Sequence, residues 1–245
     1  MKVTLIDHTA NPEKMIAIAA RMCYSSLTAS EMIKGLTEET VDHMISVMED
    51  TGHSSLIEHI NFTFIIEGVS RVLSHQLVRH RMTSPHQRSQ RYVKKSLADE
   101  VITPPSIKET PGALEVFQHA VDVTNEAYQK MLELGVPKDD ARFIFPNATG
   151  TQLILTLNGR SLVHLLSLRC CNRASWEIRN MAKLMLQECR KVSPKLFNNV
   201  GPSCYTNHGL CPEGKMCCGH TKEVCEHFAP ENFDQWMEET HVKND

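Results

Sequence analysis

Aromatic residues make up only 6% of this 245-residue chain, with two Trp in all. RNA-binding modules stack bases on aromatic platforms, so a surface of that kind is poorly supplied. No apolar run approaches the ~20 residues that a membrane-spanning helix needs. The opening MKVTLIDHTANPEK turns polar too soon for a secretory signal, and the protein is therefore expected in the cytoplasm. G-x-G-x-x-G, G-x-x-x-x-G-K-[ST] and H-E-x-x-H are all missing. A dinucleotide-binding Rossmann unit, a P-loop and a zinc-protease helix are excluded with them. A formal charge of -3 argues against a general nucleic-acid coat protein.

Acidic residues are absent from one long stretch, Arg71 to Lys95, where Arg71, Arg79, Arg81, Arg88, Arg91, Lys94 and Lys95 are gathered. His75, His80 and His86 add donors that become cationic when protonated. A segment of one sign is a local field suited to an anion. Its serines and glutamines supply the further hydrogen bonds that a small phosphorylated ligand requires. Arginine binds phosphate through a planar, bidentate fork. The plain alternative, a solvated basic loop, fits poorly with the dense interleaving of Ser and Gln.

Periodicity places this stretch in the chain. Lys2–His8 reads as a first strand. Asn11 and Pro12 read as the N-cap and first residue of a helix. Thr37 starts another helix, carrying Val41, Met44, Ile45 and Met48, which Gly52 ends. Residues 60–67 alternate, with Ile60, Phe62, Phe64 and Ile66 on one face. Val69 to His80 reads as a helix with Val72, Leu73 and Leu77 on one side and Gln76 and Arg79 sharing a surface. Met82 to Gln90 reads as a loop, and Arg91 to Val93 as a strand. Thr103 to Ser106 is expected to be extended, and Ala113 to Leu134 a long amphipathic helix. Residues 151–158 form a second alternating strand. Helices then follow from near Arg160, with Arg160 and His164 one turn apart, and from about Ala174 to Val192, where either Trp176 or Ile178 is buried. Beyond Ser193 the periodicity fades. These elements predict an α+β fold, a twisted sheet flanked by helices in a single domain spanning about 1–200. A Cys-rich irregular tail, 201–245, is expected to pack on it or extend from it.

The basic stretch also carries a recognisable order. Arg79-His80-Arg81 is followed by seven residues and then Ser89, with Arg91-Tyr92 behind it. Upstream stands His53-Ser54-Ser55-Leu56-Ile57-Glu58-His59. Downstream stand Ala141-Arg142, Pro146-Asn147-Ala148-Thr149, Asn158-Gly159-Arg160 and Leu168-Arg169. This succession resembles the flavin-dependent thymidylate synthases and covers roughly Met1 to Val192. The resemblance implies a homotetramer with sites shared between subunits. It implies FAD as cofactor, dUMP as substrate, methylenetetrahydrofolate as carbon donor and NADPH as reductant of the flavin. Carried over by position, Ser55, Arg79, His80, Arg81, Gln87, Asn158, Gly159, Arg160 and His164 would touch FAD. Gln76, Arg79, Gln87, Arg88, Ser89, Arg91, Arg142 and Arg169 would surround dUMP. Many relatives have Glu where this chain has Gln87; an amide keeps the hydrogen bond and loses the charge. His80 or Arg81 would offset negative charge on the reduced flavin.

Arg169 falls among leucines, where an unpaired charge is costly to bury. A structural ion pair is one reading. The other, favoured here, places it on the uracil edge as the catalytic residue, stabilising developing charge because a guanidinium cannot act as base. Cys170 and Cys171 follow it and are read as core thiols without a catalytic role. The tail gathers Cys204, Cys211, Cys217, Cys218 and Cys225 with His208, His220 and His227. Their spacings do not give the usual paired zinc knuckle, so they are read as reduced thiols and no metal is assigned. The competing function class is a nucleotide- or RNA-binding module that uses the basic block without catalysis.

Overall fold

Phe62, Phe64 and Ile66 project from one face of a strand and are wholly buried. Each such side chain contributes roughly 1.5–3 kcal/mol on leaving water, and the alternation fixes the strand's register. The computed structural model describes residues 1–91 and 101–241. Four antiparallel strands, β1 (Lys2–His8), β2 (Asn61–Ser70), β3 (Thr83–Gln87) and β4 (Gly150–Asn158), form one sheet in the order β1-β2-β4-β3. Phe64 lies opposite Leu155 and Phe62 opposite Leu157, so both central strands present the same face to the core. The α+β expectation holds.

Helices α1 (Pro12–Tyr24), α2 (Ala29–Lys34) and α3 (Glu38–Thr51) precede a 3₁₀ helix, Ser54–His59. Pro12 opens α1 as expected, although Asn11 sits in the left-handed region and its side chain makes no cap. Thr37 caps α3, its hydroxyl accepting from the Thr40 N–H at 3.2 Å, and Gly52 ends it at φ 69°. The short α2 has no apolar periodicity to announce it. It is nucleated by a capping box between Thr28 and Glu31.

Three expectations around the basic stretch are corrected. The segment after Gly68 continues β2: a bulge between Glu67 and Val69, with Gly68 at φ 66°, lets pairing run on to Ser70. Helix α4 is therefore only Arg71–Leu77, with Leu73 and Leu77 buried and Val72 turned outward. Residues 83–87 pair with β4 instead of forming a loop. Pro85 is tolerated because β3 is an edge strand. Thr103 and Pro104 lead straight into α5 (Pro105–Glu109), Pro104 acting as its N-cap residue. The strand expected from Arg91 to Val93, together with Lys94 and Lys95, lies outside the described residues beyond Arg91.

Helices α6 (Ala113–Glu133) and α7 (Lys138–Ala141) lead to β4, and α8 (Gly159–Arg169) and α9 (Trp176–Val192) follow it. On α9 the buried residue is Ile178, in line with Met181, Met185 and Cys189. The C-terminal segment is helical where an irregular course was expected: α10 (Pro194–Phe197), α11 (Ser203–Thr206), α12 (Thr221–Phe228) and α13 (Pro230–His241). Its Phe228, Phe233 and Met237 enter the same core as Phe62. One side chain of α9 organises this segment. Arg190 donates from Nε to the Phe197 carbonyl at 3.2 Å, and from Nη2 to those of Asn198 and Phe228 at 3.0 and 2.8 Å. Bonds of that kind leave no trace in hydrophobic periodicity.

Candidate active site

The start of β3 and the end of β4 converge with α8 and the 3₁₀ helix on a cleft of about 570 Å³. Arg79, His80, Arg81, Asn158, Arg160, His164 and Arg169 line it, with Glu58, Met82, Thr83, Ser161 and Leu168. Seven of the residues anticipated from sequence therefore share one wall system. Each has a local reason for its place. Asn158 ends β4 and caps α8, its Oδ1 accepting from the Ser161 N–H at 2.9 Å. Arg160 and His164 then point one way at one-turn spacing. Gly159 lies buried where an added Cβ would stand 2.5 Å from Ile57 Cγ2 and 2.7 Å from the Ile57 carbonyl oxygen. Its place is the close approach of α8 to the 3₁₀ helix, and this approach brings Arg160 Nη1 to 2.5 Å from Glu58 Oε1.

Arg169 ends α8 and turns back over the cleft, where its Nε donates to His80 Nε2 at 2.9 Å. Its partner is thus an imidazole, and not the carboxylate of a structural ion pair. Accepting at Nε2 places the proton of neutral His80 on Nδ1. Burial first, then the charges of Arg169 and His164, pull His80 down to about 4. His80 is therefore neutral near pH 7, and the permanent cations beside the cleft are the guanidinium groups. Of the alternatives His80 or Arg81 for offsetting negative charge on the reduced flavin, the neutral imidazole favours Arg81. The sign for stability follows. Between 6.5 and about 4 the unfolded chain binds a proton at this imidazole that the folded chain refuses, so stability falls as pH drops through that window. NMR titration of His80 in the ligand-free protein is expected to give a midpoint near 4; a midpoint at the ordinary 6.5 would contradict the burial and the Arg169 contact.

Gln87, Arg88, Ser89, Arg91 and Arg142 form a second group at the far end of β3, whose four steps from Thr83 to Gln87 span roughly 13 Å. Gln87 receives Arg71 Nη1 at 3.5 Å and donates from Nε2 to Thr151 Oγ1 at 3.1 Å. The amide thus both accepts and donates, which a carboxylate at this position cannot do. Arg71 Nη2 donates to the Arg88 carbonyl at 3.3 Å, and Asp139 holds Arg91 Nε at 2.9 Å and lies 3.8 Å from Arg142 Nε. Burial, then Arg142 and Arg88, pull Arg71 below the usual arginine range. Its Nε is buried with no acceptor among the described residues. Ser89 Oγ accepts from the Arg91 N–H at 3.1 Å. Gln76, expected beside Arg79, instead accepts from Ser175 Oγ at 3.3 Å; α4 stops at Leu77, so Arg79 leaves its face. Ser55 is exposed on the 3₁₀ helix, outside the lining of the cleft.

Sequence reasoning left Arg71, Glu58 and Asp139 out of the site. Arg71 opens the acid-free stretch and Glu58 stands in the His53–His59 run, so both had a signal. Asp139, some fifty residues away, had none.

A sheet-end cleft with four arginines against one carboxylate, beside a second arginine cluster, defines a protein built to hold anionic ligands. The family model described as thymidylate synthase complementing protein matches residues 4–195; the chain belongs to this family. It is 45% identical over 240 residues to the flavin-dependent thymidylate synthase of Clostridium tetani, covering 91% of this chain and 95% of that protein. It is 44% identical over 225 residues to the Geobacter sulfurreducens protein of the same name, covering 91% and 96%. The fold is shared with a UMP/dUMP methylase from Streptomyces cacaoi solved with 5-Br dUMP. That likeness has a TM-score of 0.66 at 24% identity, over 80% of this chain and 92% of that one. No helix among the described residues is long and apolar enough to cross a membrane.

Proposed function

We propose that this chain is a flavin-dependent thymidylate synthase, converting dUMP to dTMP with methylenetetrahydrofolate as carbon donor and NADPH as reductant of FAD. The observation that carries the reading is Arg169, held over an arginine-lined cleft by a neutral imidazole. The residues suit the cofactor. Arg79, Arg81 and Arg160 present guanidinium groups to a pyrophosphate or an anionic ring system, and the orphaned Arg71 Nε suits a phosphate in the second cluster. Arg79, Arg81 and Arg160 would hold FAD in the cleft, and its reduced form would supply the hydride that completes the methyl group.

The protein's own work is binding and electrostatics. Arg169 uses Nε to grip His80, and no acceptor among the described residues is bonded to its Nη atoms. The outer edge of the fork is left to face the uracil N3–O2 edge and stabilise charge developing there. His80 orients that fork. Arg71, Arg88, Arg91 and Arg142 hold the nucleotide phosphate, and the length of β3 sets its separation from the base. A homotetramer with shared sites accords with the exposure of Met82 on the cleft and of Phe143 beside Arg142, at 75% and 81%. The protein works in the cytoplasm on this reading.

Arg91→Ala tests the division of labour. It is expected to weaken dUMP by about tenfold or more, as loss of a charge-assisted bond implies, with FAD affinity nearly unchanged. Calorimetric titration with each ligand decides the point, and equal losses for both would contradict the phosphate role.

A further inference from the structure

The nine cysteines fall into distinct environments. Cys170 and Cys189 are fully buried; burial pushes Cys170 up to about 12 and Cys189 well above the ordinary thiol. Such thiols are inert. Cys23 is exposed on α1 and stands apart, bonded to the Ala19 carbonyl. The other six meet between the turn after α8 and the helices α11 and α12: Cys204 feels the thiols of Cys225, Cys171, Cys211 and Cys218, while Cys217 feels those of Cys211 and Cys218.

One pair in that cluster is built for reaction. The thiols of Cys211 and Cys217 lie near enough for each to shift the other's proton affinity, and both residues are only half-buried. A 3₁₀ turn, Gly214–Met216, folds the intervening chain. Arg173 pins that turn, its Nη1 donating to Glu213 Oε2 at 3.2 Å and to the Met216 carbonyl at 3.0 Å. The Gly219 N–H donates to Cys217 Sγ at 3.4 Å. That bond and the Cys211 thiol hold Cys217 below the usual thiol range. An accessible, anion-stabilised thiol beside a second thiol is the arrangement of a peroxide-sensitive pair. Among the described residues no three His, Cys, Asp or Glu are grouped to hold a metal ion.

We propose that Cys211 and Cys217 form a reversible disulfide on exposure to peroxide, Cys217 being the thiol attacked first and Cys211 the resolving one. The Cys217 thiolate attacks one peroxide oxygen, the O–O bond breaks, and water leaves after protonation, giving a sulfenic acid. The Cys211 sulfur then displaces the sulfenic oxygen as a second water, and the S–S bond forms. Two thiols and one hydrogen peroxide thus become one disulfide and two waters; sulfur is oxidised and oxygen reduced. The bond closes the loop that Arg173 ties to the chain just beyond Arg169.

The test treats the reduced full-length protein with one equivalent of hydrogen peroxide, alkylates the remaining thiols and maps the peptides. Cleavage after Lys215 separates the two cysteines, so the link is expected as a joined pair of peptides that dithiothreitol releases. Cys218→Ser should retain it and Cys217→Ser should abolish it. Cys211→Ser should leave Cys217 as a sulfenic acid trapped by dimedone. A link between Cys217 and Cys218 or between Cys204 and Cys225, or no oxidation at Cys217, would overturn the proposal. So would zinc at about one equivalent per chain shielding these thiols from alkylation.

Discussion

Replacing Arg169 by alanine is expected to lower dTMP formation by at least about a hundredfold, the usual effect of deleting one donor aimed at developing charge. The purified variant should nevertheless keep its yellow flavin, because Arg79, Arg81 and Arg160 remain in the cleft. Arg169→Lys should not restore the rate. A lysine supplies the charge, yet it cannot bond His80 and present a planar pair of donors at once. Unchanged turnover in Arg169→Ala would refute the role. Loss of flavin in parallel with turnover would assign Arg169 to cofactor binding instead.

Glu177→Ala is expected to cost about 3 kcal/mol of stability. The Glu177 carboxylate on α9 is buried and accepts from both the backbone N–H and the hydroxyl of Ser70, the N-cap of α4. Removing it strands two buried donors, each costing about 1–3 kcal/mol, offset in part by the burial penalty of the charge itself. Burial raises the Glu177 carboxyl above the ordinary range, against the pull of the Ser70 bonds. The folded chain therefore binds this proton more tightly than the unfolded chain, and this group's contribution to stability falls as pH rises above 4.5 through the raised value. Glu177→Gln keeps an acceptor, should lie within about 1 kcal/mol of the parent, and should lack that pH dependence. Urea denaturation at several pH values measures both. A loss under about 1 kcal/mol for the alanine variant would show that the Ser70 donors find other partners.

Much of this was legible before the structure, and the exceptions have physical causes. The strands read at 60–67 and 151–158 declared themselves because one face is buried and period-two alternation survives. Thr37 and Gly52 marked α3 because capping is local chemistry. The acid-free run carried Arg79, His80 and Arg81, and one-turn spacing carried Arg160 and His164. What failed depended on distant partners. β3 contains Pro85 and few apolar residues, and is a strand because β4 is there to pair with it. The helical C-terminal segment depends on Arg190 collecting carbonyls from residues up to 38 positions away. The neutral state of His80 depends on Arg169, 89 residues on. A single sequence shows residue types and local spacing; it does not show which distant side chain satisfies which donor.

The most direct measurement is anaerobic. Protein reconstituted with FAD and reduced by NADPH should stay reduced with dUMP alone or with methylenetetrahydrofolate alone. With both present the flavin band should return together with one dTMP per flavin oxidised. Protein that cannot be reconstituted with FAD, or flavin whose oxidation state ignores dUMP and folate, would contradict the assignment.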